Sequence, residues 1–249
     1  MRLWLSRLSQ TCVLVIAGLV SLTVPVGAQV SLRGHELVAA LQQGGYVIYF
    51  RHGGTDRSQV DTAREDILTW STQRNLSAAG RAQAHAIGRA IHRLGIPVSE
   101  ILTSPYCRCV ETGWLLFGKS VVTEDLASAI GEDELDAKRL GAALRRLLGV
   151  PPAAGTNTVL IGHTANLKEA ANVWPQPEGV TIVFRPLGNG DFTFVGRLEP
   201  QEWPTLAGLH EQDRGGDNVA SDGNRPEVAV FDRNMWCNRT APIGAQLHP

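Results

Sequence analysis

Excess charge of either sign is missing from this chain of 249 residues: 23 basic and 24 acidic side chains leave a formal charge of −1. That balance, with no run of like charge, speaks against a nucleic-acid or anionic-membrane partner. Lysine is scarce. Lys119, Lys138 and Lys168 are the only three, so the positive charge is almost wholly arginine. No internal repeat is present, and no cluster of carboxylates stands ready to hold a metal. What the chain does have is apolar material, 43% of its residues, enough for the core of one domain of moderate size.

The first 30 residues, MRLWLSRLSQTCVLVIAGLVSLTVPVGAQV, differ in kind from the rest. Arg2 and Arg7 precede an apolar run from about Cys12 to Val24, and Val26-Gly27-Ala28 supplies the small residues a signal peptidase reads. The run is short against the ~20 residues of a spanning helix, so the expectation is a signal peptide over residues 1–28 rather than an anchor. The mature chain is then periplasmic or secreted, with no stable membrane anchor after cleavage. Cys12 is not placed for lipid attachment.

Export bears on the remaining cysteines, Cys107, Cys109 and Cys237. The Cys-Arg-Cys spacing is too tight for a zinc site, and no second ligand pair accompanies it. In an oxidising compartment one of the two bridges to Cys237, leaving the other reduced and buried. The alternative is three small buried hydrophobes.

Between residues 29 and 206 helical and strand patterns alternate. HELVAALQQGG reads as a short helix and residues 46–50 as the opening strand. Residues 53–75 read as a polar irregular loop, with Gln73 and Arg74 in its solvated part or, alternatively, touching substrate. Next comes a helix capped by Ser77 and stopped by Gly95, with Ala82, Ala86, Ile87, Ala90, Ile91 and Leu94 at helical spacing. His85 and His92 lie off that stripe, on the surface. EILTSPYCRCVETGWLLFG is a strand, a Ser104-Pro105 start signal and a helix. SVVTED reads as a strand, followed by an amphipathic helix with Leu135, Leu140, Leu144, Leu147 and Leu148 inward. TVLIGH is a buried strand before a short helix, and Leu187-Gly188-Asn189-Gly190 is the turn of a hairpin. The order predicts an α/β three-layer sandwich, its mostly parallel central sheet flanked by helices. Residues 207–249 form a polar C-terminal extension, loosely ordered or pinned by Trp236 and Cys237.

In an open α/β sheet ligands bind beyond the carboxyl ends of the strands. Three such ends here carry Arg51-His52-Gly53, then Ser104-Pro105 with Arg108 in the following first turn, then Gly162-His163. Two arginines, two histidines and a helix N-terminus converging on one point suit a phosphate dianion, which guanidinium forks bind in bidentate fashion.

RHGGT after an apolar strand, LSAAGRAQA, LTSPYCRCVET and VLIGHTANL, in this order over roughly residues 44–187, resemble the histidine phosphatase superfamily, also called phosphoglycerate mutase-like. The resemblance implies a phosphoglycerate mutase-like fold and a nucleophilic His52 that becomes phosphorylated. Arg51, Arg108 and His163 complete the phosphoryl pocket, with Thr55 and Asp56 at its edge and Thr55 the further substrate contact. Gly53 and Gly54 let the backbone approach the ligand. No metal, cofactor or macromolecular partner is implied, only a small phosphorylated substrate. Oligomeric state is left open.

The chain departs from the pattern in one place. Many members carry a Glu in a Leu-x-Glu context after the third strand, and it protonates the leaving group. Here the context reads Leu126-Ala127-Ser128. The acid phosphatase and phytase branch uses an Asp after the second histidine and RHGxRxP at the first motif. Here Thr164 follows His163, and Asp56 stands where the second arginine belongs. Asp56, Glu124, Asp125 and Glu178 remain candidate acids. Two functions follow: an exported, metal-independent phosphatase, or a phosphate- or phospholigand-binding protein on the same scaffold. For export, the expected outcome is a mature chain beginning at about Gln29, checked by N-terminal sequencing of protein recovered from its host.

Overall fold

A computed structural model describes residues 31–63, 67 and 69–209. The expected signal peptide, residues 1–28, and most of the expected C-terminal extension, including Trp236 and Cys237, lie outside the described residues. The chain runs α1 (Gly34–Gln43), β1 (Val47–Arg51), α2 (Ala78–Arg93), β2 (Val98–Thr103), α3 (Cys107–Phe117) and β3 (Val121–Val122). It continues with α4 (Glu134–Leu148), β4 (Asn157–Gly162), α5 (Thr164–Ala171), β5 (Thr181–Gly188), β6 (Asp191–Leu198) and α6 (Glu202–Leu206). The six strands form one sheet in the order β3-β2-β4-β1-β5-β6. β1, β2, β3 and β4 pair in parallel, whereas β5 and β6 run antiparallel at one side. This is the mostly parallel α/β sandwich that the alternating pattern predicts.

Both faces of the sheet are covered, which is why its central strands β1 and β4 carry apolar side chains toward both. Ile48 and Phe50 of β1, with Val159 and Ile161 of β4, point into one core beside α1, α2, α3 and α6. Val47, Tyr49 and Leu160 point into the other, beneath α4 and α5. Period-two alternation sorts a uniformly hydrophobic strand into two cores. Trp203 of α6 is fully buried and donates its Nε1–H to Thr181 Oγ1 at 2.9 Å, docking the last described helix onto β5.

Helix punctuation follows the sequence closely. Ser77 Oγ accepts from Gly80 N at 3.0 Å, and Gly95 takes a positive φ of 62° after α2. Asn189 and Gly190, at φ 54° and 80°, make the two-residue turn between β5 and β6. Three expectations change. In α2 Ile87, Ala90 and Ile91 are buried as expected, but Gly80, Ala84 and Gly88 join them, while Ala82 is exposed and Ala86 half-buried. Leu135 is 78% exposed, because the first turn of α4 lies beyond the layer it covers. The strand expected in SVVTED shortens to Val121–Val122 and turns into a 3-10 segment at Glu124–Leu126.

The first turn of α2 lies against the loop after β1. A Cβ on Gly80 would overlap the carbonyl oxygen of Gly54 deeply, and that oxygen accepts from Ser77 N at 3.0 Å. A Cβ on Gly53 would stand 3.2 Å from the Gly80 carbonyl oxygen and one on Gly54 would meet only ordinary contacts, so it is Gly80 that must lack a side chain here. Gly80→Ala is therefore expected to destabilise the domain by about 1–3 kcal/mol, read as a lower denaturant midpoint, and to lower any activity of His52 by displacing its loop.

Candidate active site

Register places the site. β1 pairs with β4 so that Arg51 stands opposite Gly162, and the next residues along the two chains are His52 and His163. β2 flanks β4 on its other side with Thr103 opposite Ile161, bringing Ser104 and the start of α3 to the same edge. Three neighbouring carboxyl ends thus deliver Arg51-His52, Ser104 with Arg108, and His163 to one place.

His52 and His163 are buried, with ring centroids 5.5 Å apart. His52 Nδ1 lies 3.0 Å from the Gly53 carbonyl oxygen. A carbonyl only accepts, so Nδ1 carries the proton and Nε2 keeps its lone pair. The Gly53 N–H donates to Thr112 Oγ1 at 3.0 Å, and that hydroxyl donates to the Arg108 carbonyl at 2.6 Å, tying the His52 loop to α3. His163 Nε2 is hydrogen-bonded with Ser104 Oγ at 2.8 Å and lies 3.6 Å from Cys109 Sγ. Tyr49 donates its hydroxyl to the His163 carbonyl at 2.7 Å.

Each arginine is held by a carboxylate. Arg51 donates to Glu178 Oε1 at 3.2 Å and to Gln176 Oε1 at 2.7 Å. Arg108, 3% exposed, donates to Asp61 Oδ1 at 3.0 Å and stacks over the Tyr106 ring at 4.4 Å. Yet the Nε–H of Arg51 and that of Arg108 are buried without an acceptor among the described residues. Two orphaned cationic donors flanking two imidazoles form a place for an anion.

Of the expected residues, Arg51, His52, Arg108 and His163 come together. Thr55 does not face outward: its N–H and hydroxyl both donate to Glu178, at 2.9 Å to Oε2 and 3.0 Å to Oε1. Glu178 therefore organises Arg51 and Thr55. Asp56 accepts from the Ser58 hydroxyl and N–H, which hold its carboxyl below the usual value, in a turn outside the site. Glu124 and Asp125 sit in the 3-10 segment and do not line the cleft beside Arg108. Ser128 does line it, held by Asn166, which accepts from Ala129 N at 3.1 Å and donates to the Ala127 carbonyl at 2.6 Å.

Sequence reasoning missed Asp61, and of Gln73 and Arg74 it put the solvated loop ahead of a place at the site. Gln73 is buried, not solvated, and its Oε1 receives the Cys107 N–H at the start of α3 at 2.9 Å. Arg74 lines the cleft, and Asp61 joins it there, accepting from Arg74 N at 2.9 Å as well as from Arg108. Aspartate in a polar loop carries no sequence signal of its own, and the loop's path decides what it meets. Cys107 is disulfide-bonded, while Cys109 is free and buried, its thiol pushed up to about 12 mainly by burial. Cys237, the expected partner, lies outside the described residues.

Residues 47–127 match the family model of the histidine phosphatase superfamily (branch 1), so the resemblance carried by the motifs is shown across that span. Comparison with curated proteins returns no match. Among solved structures, the protein histidine phosphatase SixA complexed with tungstate is 16% identical with a TM-score of 0.43, over 63% of this chain and 97% of that one. A phosphoserine phosphatase from Entamoeba histolytica, in complex with 3-phosphoglyceric acid, is 14% identical with a TM-score of 0.45, over 64% and 98%. A mycobacterial glucosyl-3-phosphoglycerate phosphatase is 15% identical with a TM-score of 0.40, over 57% and 90%. The fold assignment stands on the chain's own strand order and register.

Burial, and next the Arg108 charge, hold both imidazoles well below the ordinary histidine value. An unfolded histidine takes up its proton near pH ~6.5, whereas the buried rings resist it, so the unfolded state binds more protons below that pH. Stability contributed by the neutral rings is complete above ~6.5 and declines as pH falls. The denaturant midpoint is expected to drop between pH 7 and pH 5, and His163→Asn to flatten that slope.

Proposed function

We propose that this chain is a phosphatase that transfers the phosphoryl group of a small phosphorylated substrate to Nε2 of His52 and then to water. The observation that carries the reading is the pair of buried Nε–H donors on Arg51 and Arg108, beside an imidazole whose free lone pair is on Nε2. In the first step Nε2 attacks phosphorus and the bond to the leaving oxygen breaks, its electron pair going to that oxygen. In the second, water attacks the phosphohistidine and inorganic phosphate departs. Arg51, Arg108 and His163 stabilise charge on the non-bridging oxygens, which is most of what phosphoryl transfer asks of a protein. The depressed proton affinity of His52 keeps the ring neutral and nucleophilic down to mildly acid pH. The signal-like leader supports action outside the cytoplasm.

A second reading is a phosphate- or phospholigand-binding protein with little turnover. Ser128, standing where many superfamily members carry the leaving-group acid, favours it. Steady-state phosphate release from p-nitrophenyl phosphate separates the two, because an aryl oxide leaves without a proton donor. His52→Ala is expected to abolish that release. Acid-quenched wild-type protein is expected to carry an acid-labile phosphate on His52, with turnover persisting in excess chelator. Undiminished release by the alanine variant would remove His52 as nucleophile.

A further inference from the structure

The phosphoryl site accounts for Arg51 and Arg108 but not for the cleft beside them. That cleft, about 450 Å³, is several times larger than a phosphoryl group, and its lining includes Arg57, Asp61, Arg74, Tyr106, Arg108 and Ser128. Three guanidiniums face one carboxylate. Asp61 is already engaged, accepting from Arg108 Nη1 at 3.0 Å and from Arg74 N at 2.9 Å. Arg74 lies 3.8 Å from Glu178, whose oxygens are occupied by Arg51 and Thr55. Arg57 makes no ion pair among the described residues. Both outer guanidiniums are close enough to Arg51 to help hold its proton affinity below the ordinary arginine value, although burial is the larger cause. Like charges crowd around a cleft in which, among the described residues, no carboxylate is left over to neutralise them.

The same wall carries Ser128 instead of a proton-donating carboxyl. A leaving oxygen there can be stabilised by cations but not protonated by that residue. Resting on the phosphatase reading above, we propose that the cleft is a subsite for an anionic leaving group, with Arg57 and Arg74 as its ligands. The substrate class is the phosphoanhydride, two phosphoryl groups joined through one oxygen. His52 Nε2 attacks the terminal phosphorus, and the bond from that phosphorus to the bridging oxygen breaks. The electron pair stays on the bridging oxygen, and the second phosphoryl group departs as a phosphate anion beside Arg57 and Arg74 without needing a proton. Water then releases the first from His52.

The test measures binding by calorimetry, in chelator, of methylenediphosphonate, whose bridge cannot be hydrolysed, against methylphosphonate, which carries one such group. Wild-type protein is expected to bind the diphosphonate at least about tenfold more tightly, because a second charge-assisted contact adds to the first. Arg57→Gln and Arg74→Gln are each expected to lower that ratio by about tenfold, with Arg57→Lys retaining part of it. Arg57 is exposed, so its variants test the subsite without disturbing the core. Equal affinity for the two probes, or a ratio unmoved by either glutamine variant, overturns the subsite. If neither probe binds and p-nitrophenyl phosphate is not turned over, the phosphatase reading falls with it. If aryl phosphate is turned over but no preference for the diphosphonate exists, only the subsite falls.

Discussion

The site depends on one pairing: β1 and β4 lie parallel with Arg51 opposite Gly162. A parallel pair aligns two carboxyl ends, so the residues that follow leave the sheet side by side and His52 comes to face His163 at 5.5 Å. A slip of one residue would turn Phe50 and Ile161 out of their core, so burial on both faces enforces the register that the chemistry needs. The energy that holds the histidines together therefore comes from apolar side chains that never approach a ligand.

Packing positive charge around buried imidazoles has a cost, and the fold manages it with carboxylates drawn from distant segments. Glu178 precedes β5 and holds Arg51 together with Thr55, while Asp61 comes from the long loop after β1 and holds Arg108 and the Arg74 backbone. Each carboxylate uses part of an arginine's fork and leaves an Nε–H free. Partial neutralisation of this kind steadies the arginines while leaving a net pull on an anion.

The parts legible in sequence were those governed by local rules. Ser77, Gly95 and Asn189-Gly190 punctuate elements through backbone chemistry that depends on a few neighbouring residues, and each did so as expected. Arg51, His52, Arg108 and His163 were visible because each sits at the end of a strand or the start of a helix, where topology leaves little choice. Leu135 failed because helical periodicity says which face is apolar but not where the covering layer ends. Asp61 was missed, and Gln73 and Arg74 were left between solvent and substrate, because a loop of over twenty residues has no period and its path across the sheet edge is set by what it packs on.

The sequence by itself determined an alternating α/β chain, two two-faced apolar strands, and the ends that carry imidazole and guanidinium. These follow from side-chain identity and short-range periodicity. Only the tertiary structure decided that Glu178 serves Arg51, that Asp61 serves Arg108, and that Arg74 joins Arg57 at a cleft beside Ser128. Those contacts join residues some tens to more than a hundred positions apart. Distance along the chain carries no information about them until the sheet has closed and the loop has been laid over its edge.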